Sequence, residues 1–395
     1  MPTPDKLLEC TPKLPRSAET LCVQTSPNPE FAQASNNYAH FMLAQLIPLL
    51  GGLALAGTHN PDRLWTAKLL VAPGQNRMTA FWYATKVSEL LRTVCRAAPP
   101  RNRTVITELH PHNQLQPLRI SKGWEPYGCT TMAAVSVPMY EMCRPSLLAN
   151  HSLWSAGARL LQRLVGSRRP RPMLISQGTE DTVTLLLRGA EAGHRGRLRG
   201  LDALCNDLAL SRAVNVRVDC IFVNGSTPLQ TVSAAFGGPT VRGVIGQHGA
   251  GLANLFFMRR GSTLVELDDY ANAGWSRDFF QESAVAIGLR PSKVWVRTRA
   301  GPGGGNPGER ICSQTVRCPT SRVYYKSFRS MNATLATSLL EEALREAAGG
   351  PLRDCASELA ATNLTESRTK GAVTPVAVRE AETSRLYVAV ARGAG

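Results

Sequence analysis

The segment Val241 to Leu267, VRGVIGQHGAGLANLFFMRRGSTLVEL, constrains this chain more than any other part of it. An apolar strand-like run, VIG, leads into a glycine-rich loop from Gln247 to Gly251. LANLFFM then reads as a buried helix, Gly261 ends it, and STLVEL reads as the next strand, finishing at Glu266. The glycines Gly246, Gly249 and Gly251, with Ala250 between them, stand where a backbone must approach a ligand closely. A helix beginning just after them would present unpaired N–H groups and the positive end of its dipole, which suits a diphosphate. Glu266 follows Gly246 by about twenty residues, at a strand end where a carboxylate can accept hydrogen bonds from ribose hydroxyls. His248 can donate to a phosphate oxygen or move a proton.

The surroundings agree with a parallel α/β architecture. In the second half, PMLISQG reads as a strand, Leu198 to Ala209 as a helix and VRVDCIFVN as a strand. STPLQTVSAAFG reads as a helix opened by a Ser/Thr cap, and TVRGVIG as a strand. This alternation predicts a doubly wound sheet. In the first half, helical-length segments (Asn37 to Leu50, Met78 to Cys95) alternate with short runs such as LLVAP and AVSVP. The apolar stretch Phe41 to Gly57 holds Gln45, Pro48 and a Gly pair, and is predicted to be a buried helix followed by a turn. GSRRPRP, starting at Gly166, breaks both helix and central strand and marks a domain boundary. The expected organisation is a lead-in over 1–30, an N-terminal acceptor-side Rossmann-like domain over 31–166, a C-terminal nucleotide-sugar-binding domain over 167–349 and a tail over 350–395. Asn332 to Ala348 is expected as an amphipathic helix stopped by Gly349 and Gly350.

Composition narrows the function classes. With 395 residues, 43% of them hydrophobic and 19% charged, the chain is a folded globular protein rather than a disordered or collagen-like one. Its formal net charge of +16 comes mostly from Arg spread along the chain, and only 6% of residues are aromatic. No nucleic-acid-binding motif accompanies that charge, so no nucleic-acid partner is expected. The N-terminus shows no signal peptide or signal anchor, so a membrane connection would need a targeting segment not visible in this chain. Two features favour a secretory lumen nonetheless. N-x-S/T sequons occur at Asn102, Asn150, Asn224, Asn332 and Asn363, and the 10 Cys include a close pair, Cys312 and Cys318, able to close a short disulfide loop. No Cys/His ligand set reads as a zinc site.

The motif GQHGAGLANLFFMRRGSTLVEL resembles the signature of glycosyltransferase family 61, a G-x-H-G-A-G-L-x-N-x-x-F block followed by a P-G-S-x-V-V-E strand. The match covers Gly246, His248, Gly249, Ala250, Gly251, Leu252, Asn254, Phe257, Gly261, Ser262 and Glu266. Gln230 is similar to the Gln of the family's preceding helix. NYAHFMLAQLIPL resembles its N-x-x-H start, with Asn37, His40 and Pro48 in place. The HGAG motif is also similar to the oxyanion loop of lipase-like hydrolases, but those need a GxSxG nucleophile elbow and the chain has none.

The resemblance implies a two-domain GT-B enzyme of the endoplasmic reticulum or Golgi, with its active site in the cleft between two Rossmann-like domains. It would transfer a sugar (xylose, arabinose or N-acetylglucosamine) with inversion and without a metal from a UDP-sugar donor to a glycan or glycoprotein hydroxyl. Gly246, His248, Gly249, Ala250, Gly251, Asn254 and Glu266 would hold the nucleotide sugar, and His40 and His248 would be the catalytic groups. No cofactor beyond the donor is implied, and the absence of any D-x-D agrees with that. Arg side chains would then stabilise the leaving diphosphate. Two positions depart from the family pattern. The carboxylate four residues after the first-domain His is Ala44, and the Arg expected after the second domain's first strand falls at Gln177 and Gly178, with Arg197 or Arg199 as replacements that are out of register. These departures leave, as the alternative, a relative that binds a nucleotide sugar or glycan without turnover.

Overall fold

The computed structural model describes residues 8–9, 19–25, 38–59, 65–71, 104–111, 131–135, 151–166, 181–188, 198–207, 212–224, 227–269, 279–297, 310–311, 333–352 and 388–392. The first part of the chain contributes β1 (Leu8–Glu9), β2 (Glu19–Thr25), β3 (Trp65–Val71), β4 (Thr104–Pro111) and β5 (Thr131–Val135). The second contributes β6 (Thr182–Leu187), β7 (Leu198–Arg199), β8 (Arg217–Phe222), β9 (Val241–Gln247), β10 (Thr263–Asp269) and β11 (Arg290–Val296). β12 (Arg310–Ile311), β13 (Ala333–Thr334) and β14 (Val388–Arg392) complete the strands.

Two sheets carry the fold. The first has the order β1-β4-β3-β2-β5-β14, and its inner strands β4, β3, β2 and β5 are parallel. Glu19–Thr25 was expected within a loose lead-in and is instead an inner strand, paired on both sides, because LCV supplies the apolar and β-branched residues such a position needs. The tail likewise contributes β14, antiparallel to β5. The second sheet has the order β12-β11-β10-β9-β6-β8, with β11, β10, β9, β6 and β8 parallel. It is an α/β sheet compatible with a Rossmann-like fold.

Alternation along the strands of the second sheet sends side chains to two separate cores. Val183, Leu185, Ile245, Val265 and Leu267 face a core closed by Leu339, Leu340, Ala343 and Leu344 of one helix, Thr337–Ala347. Leu186, Val244 and Leu264 face the opposite core. Among the described residues, four helices line that side. Tyr38–Phe41, a π-helical turn Met42–Leu46 and Ile47–His59 follow one another without a break and are together called α1. α2 is His151–Gly166, α3 is Leu229–Gly237 and α4 is Phe279–Ala286; Thr337–Ala347 is α5. The expected boundary begins where α2 ends, at Gly166.

The Gly pair does not end α1, which runs through it to His59. Gly51 is there for contact. A Cβ on it would lie 2.2 Å from the Leu153 carbonyl oxygen, and one on Gly157 would lie 2.1 Å from the Ile47 carbonyl oxygen. The two helices therefore touch backbone to backbone, and the contact between small residues overrides the weak helix propensity of glycine. Pro48 cannot accept a normal helical environment, because it lacks an N–H and its ring crowds the preceding turn. The π-helical turn before it widens the helix at that point.

Several local expectations change. PMLISQG and Met78 to Cys95 lie outside the described residues, and the first described strand of the second sheet is Thr182–Leu187. The described part of Leu198 to Ala209, up to Asp207, is not an α-helix. It is β7, which pairs with β13, followed by a short 3-10 turn, Ala203–Asn206, tied to β8 by the Cys205–Cys220 disulfide. α3 starts on Pro228 without a side-chain cap, since Thr227 is bonded to Asn224 instead. The C-terminal helix begins at Thr337, later than expected, and ends at Ala347, just before Gly349, whose φ of +101° only glycine adopts readily. Cys312 and Cys318 and the sequons at Asn102, Asn150, Asn332 and Asn363 lie outside the described residues, whereas Asn224 is exposed in the loop after β8. No helix among the described residues is long and apolar enough to cross a membrane.

Candidate functional site

The order of the second sheet places one crevice apart from the rest. From β6 the chain goes outward to β8, then returns past β6 to β9 and continues to β10 and β11. The direction of winding reverses between β6 and β9. In open α/β sheets ligands bind just outside the carboxyl ends of the strands flanking such a reversal. Arg188 directly follows β6 and His248 directly follows β9, so these two residues stand at that crevice.

They are also bonded to each other. Arg188 Nη2 donates to the main-chain carbonyl of His248 at 2.9 Å. The guanidinium lies so close to Gly249 that a Cβ there would sit 2.0 Å from Nη2. The glycine of the HGAG motif thus makes room for a protein cation. Gly246 has a similar reason, since its Cβ would lie 2.8 Å from Leu252 Cδ2 where the following segment folds back on the strand.

That following segment is not an α-helix. Ala250–Phe257 is a 3-10 helix of 8 residues. Leu252, Ala253, Leu255, Phe256 and Phe257 are all buried, so it is packed on every side. Gln162 of α2 takes the Phe256 and Met258 carbonyls at 2.9 and 2.8 Å, and Asn254 donates to the Gly251 carbonyl at 2.8 Å. These bonds hold the carbonyls outside the α-helical ladder. The α-helix dipole expected at this loop is therefore absent.

The His248 side chain is buried and faces carboxylates. Its Nδ1 is hydrogen-bonded to Glu266 Oε1 and lies 3.6 Å from Asp268 Oδ2, and its ring meets the Phe280 ring edge to face at 5.5 Å. An ionised carboxylate only accepts, so Nδ1 carries the proton in this bond and Nε2 lies on the other side of the ring. Its main-chain N–H donates to Leu267 O at 2.7 Å, which ties the loop to β10.

Strand register explains the neighbours. Glu266 is opposite Gly246 in β9 and Lys293 in β11, and Asp268 is opposite Trp295. Glu266 is fully buried, with Oε2 accepting from Gln281 Nε2 at 2.7 Å. Lys293 Nζ lies 3.9 Å from Glu266 Oε1, 3.6 Å from Asp268 Oδ2 and 4.5 Å from the Trp295 ring centroid. Burial alone would raise the Glu266 carboxyl. The Lys293 charge, the His248 bond and charge, and the Gln281 bond together outweigh burial and hold it at about 2.

Of the residues expected at a ligand site, Gly246, His248, Gly249, Ala250, Gly251 and Glu266 come together here. Asn254 is fully buried and does not join them. Its Oδ1 accepts from Tyr38 Oη at 2.7 Å while its amide nitrogen holds Gly251, which makes it a clamp between α1 and the 3-10 segment. His40 lies in the first turn of α1, and its side chain is outside the described residues. Arg188, Asp268, Gln281 and Lys293 were not anticipated. Arg188 follows TVTLLL, a run that was not singled out as a strand. Asp268 and Lys293 were visible as charges in alternation within VELDD and SKVWV, but only pairing between strands brings them together.

Arg188 lies immediately after the first described strand of the second sheet. The chain matches no known family model and none of the curated proteins.

Proposed function

We propose that the protein is an inverting, metal-independent glycosyltransferase that moves a sugar from a UDP-sugar to a hydroxyl of a glycan or protein, built on a GT-B arrangement of its two sheets. One observation carries this reading: Arg188 and the His248–Glu266 pair converge at the winding reversal of the second sheet, on a loop whose Gly249 leaves no room for a Cβ beside the guanidinium. In the transfer, the acceptor oxygen attacks the anomeric carbon as its bond to the diphosphate breaks, and negative charge grows on the departing phosphate. A guanidinium matches that charge with directed N–H donors. His248, oriented by Glu266, would donate from Nε2 to a phosphate oxygen in its imidazolium form. Glu266 acts through His248 in this reading, because both of its oxygens already have partners within the protein.

The acceptor proton needs a base, and His40 is the group assigned to it. Its helix is tied to the HGAG segment by the Tyr38–Asn254 bond, two residues away in sequence. The Cys205–Cys220 disulfide and the sequons support work in the lumen of the endoplasmic reticulum or Golgi. Ala44, where the family has a carboxylate, favours the second reading of a protein that binds the donor without turnover.

The test is a panel of UDP-sugars, with UDP release and thermal unfolding measured in parallel. Stabilisation with UDP release in the presence of an acceptor supports transfer. Stabilisation without release leaves the binding protein, and no stabilisation by any UDP-sugar removes both readings.

A further inference from the structure

The cluster at the end of β10 has the donor set of a divalent-cation site and already holds a cation. His248 Nδ1, Glu266 and Asp268 offer one nitrogen and two carboxylate oxygens that all lie within 4.8 Å of one another, and all three residues are buried. First-row divalent ions accept such a set of one imidazole and two carboxylates. Two carboxylates buried this close repel each other and need a positive charge beside them. Lys293 provides it from within the fold, at 3.9 Å from Glu266 Oε1 and 3.6 Å from Asp268 Oδ2.

The placement of that ammonium follows from the strands. Lys293 is the register partner of Glu266, so its side chain rises from the neighbouring strand beside the carboxylates. The Trp295 ring, two residues on along the same strand, lies against Nζ at 4.5 Å and favours a positive charge there. The side chain is only 9% exposed, so the ammonium belongs to the interior. A metal ion bound to both carboxylates would stand next to this charge and be repelled by it.

We propose that Lys293 is the resident cation of this group: its ammonium stands in for a divalent ion among His248, Glu266 and Asp268, and removing it uncovers a three-ligand divalent-cation site. The inference goes beyond sugar transfer and stands without it. It gives the group a fixed internal charge that keeps the carboxylates and His248 in place whatever the metal supply.

The experiment compares the full chain with its Lys293→Ala variant, each treated with EDTA, dialysed and titrated with Co2+. Cobalt binding is read by visible absorption and by thermal unfolding. The wild-type protein is expected to develop no visible band and to unfold at an unchanged temperature. Lys293→Ala is expected to bind one equivalent with a visible band and a raised unfolding temperature, and adding Asp268→Asn to it is expected to weaken binding at least about tenfold. Equal Co2+ binding by the wild type, or none by the folded variant, would overturn the proposal. If Lys293→Ala is unfolded after EDTA, recovery of its circular dichroism spectrum on adding Co2+ supports the proposal. No recovery, together with no binding by Lys293→Gln, rejects it.

Discussion

Arg188 Nη2 donates to the His248 carbonyl at 2.9 Å, joining the carboxyl ends of two adjacent parallel strands at the point where the sheet changes its direction of winding. The bond is possible because residue 249 has no side chain.

From this contact follows a paired prediction. Arg188→Ala is expected to reduce donor affinity and turnover by about 10²-fold or more, the scale of losing one charged contact to a developing oxyanion. Gly249→Ala should reproduce most of that loss by displacing the guanidinium, since its Cβ would lie 2.0 Å from Nη2. UDP release and donor-induced thermal shifts measure both. Wild-type values in Gly249→Ala would separate Arg188 from the site.

His248→Ala and Glu266→Gln are expected to abolish donor-induced stabilisation in proteins that remain folded by circular dichroism. The first removes the imidazole. The second keeps the size of the group that orients it and removes its charge. Retained stabilisation in both variants would move the donor site elsewhere.

Stability should respond to acid through Glu266. Its carboxyl is held at about 2 in the folded protein against an ordinary 4.5, so the unfolded chain takes up the proton first as the pH falls. The resulting stabilisation is complete above about pH 5 and is lost progressively toward pH 2, about 3 kcal/mol in all. Chemical denaturation of wild type and Glu266→Gln across that range should give a difference that narrows as the pH falls. A difference independent of pH would contradict the assignment.

Tyr38→Phe removes the donor to Asn254 Oδ1 inside a fully buried environment. The expected cost is about 1–3 kcal/mol of stability, that of a buried acceptor left without its partner. Gly157→Ala, which drives a methyl group into the Ile47 carbonyl, should cost at least as much. Equilibrium denaturation checks both.

The strand-loop-strand unit around HGAG was legible because alternation and glycine placement are local properties. TVRGVIG and STLVEL appear as β9 and β10, with β10 continuing to Asp269, past the Glu266 end that was expected. The helix between them was not legible as a 3-10 segment, since its geometry depends on Gln162 and Tyr38, which are distant in sequence. The same limit applied to Arg188. TVTLLL was not singled out as a strand, and its place in the sheet rests on pairing with β8 and β9.

What the amino-acid order determined by itself was the α/β alternation, the glycine loop and the presence of His248 just after one strand and Glu266 within the next. Periodicity and backbone freedom act over a few residues and need no partner. What tertiary structure decided was the chemistry between those residues: the side-by-side register that places Glu266 between Gly246 and Lys293, and the winding reversal that sets Arg188 against His248. Charges tens of residues apart acquire their meaning only when parallel strands bring them together and burial removes the water that would otherwise separate them.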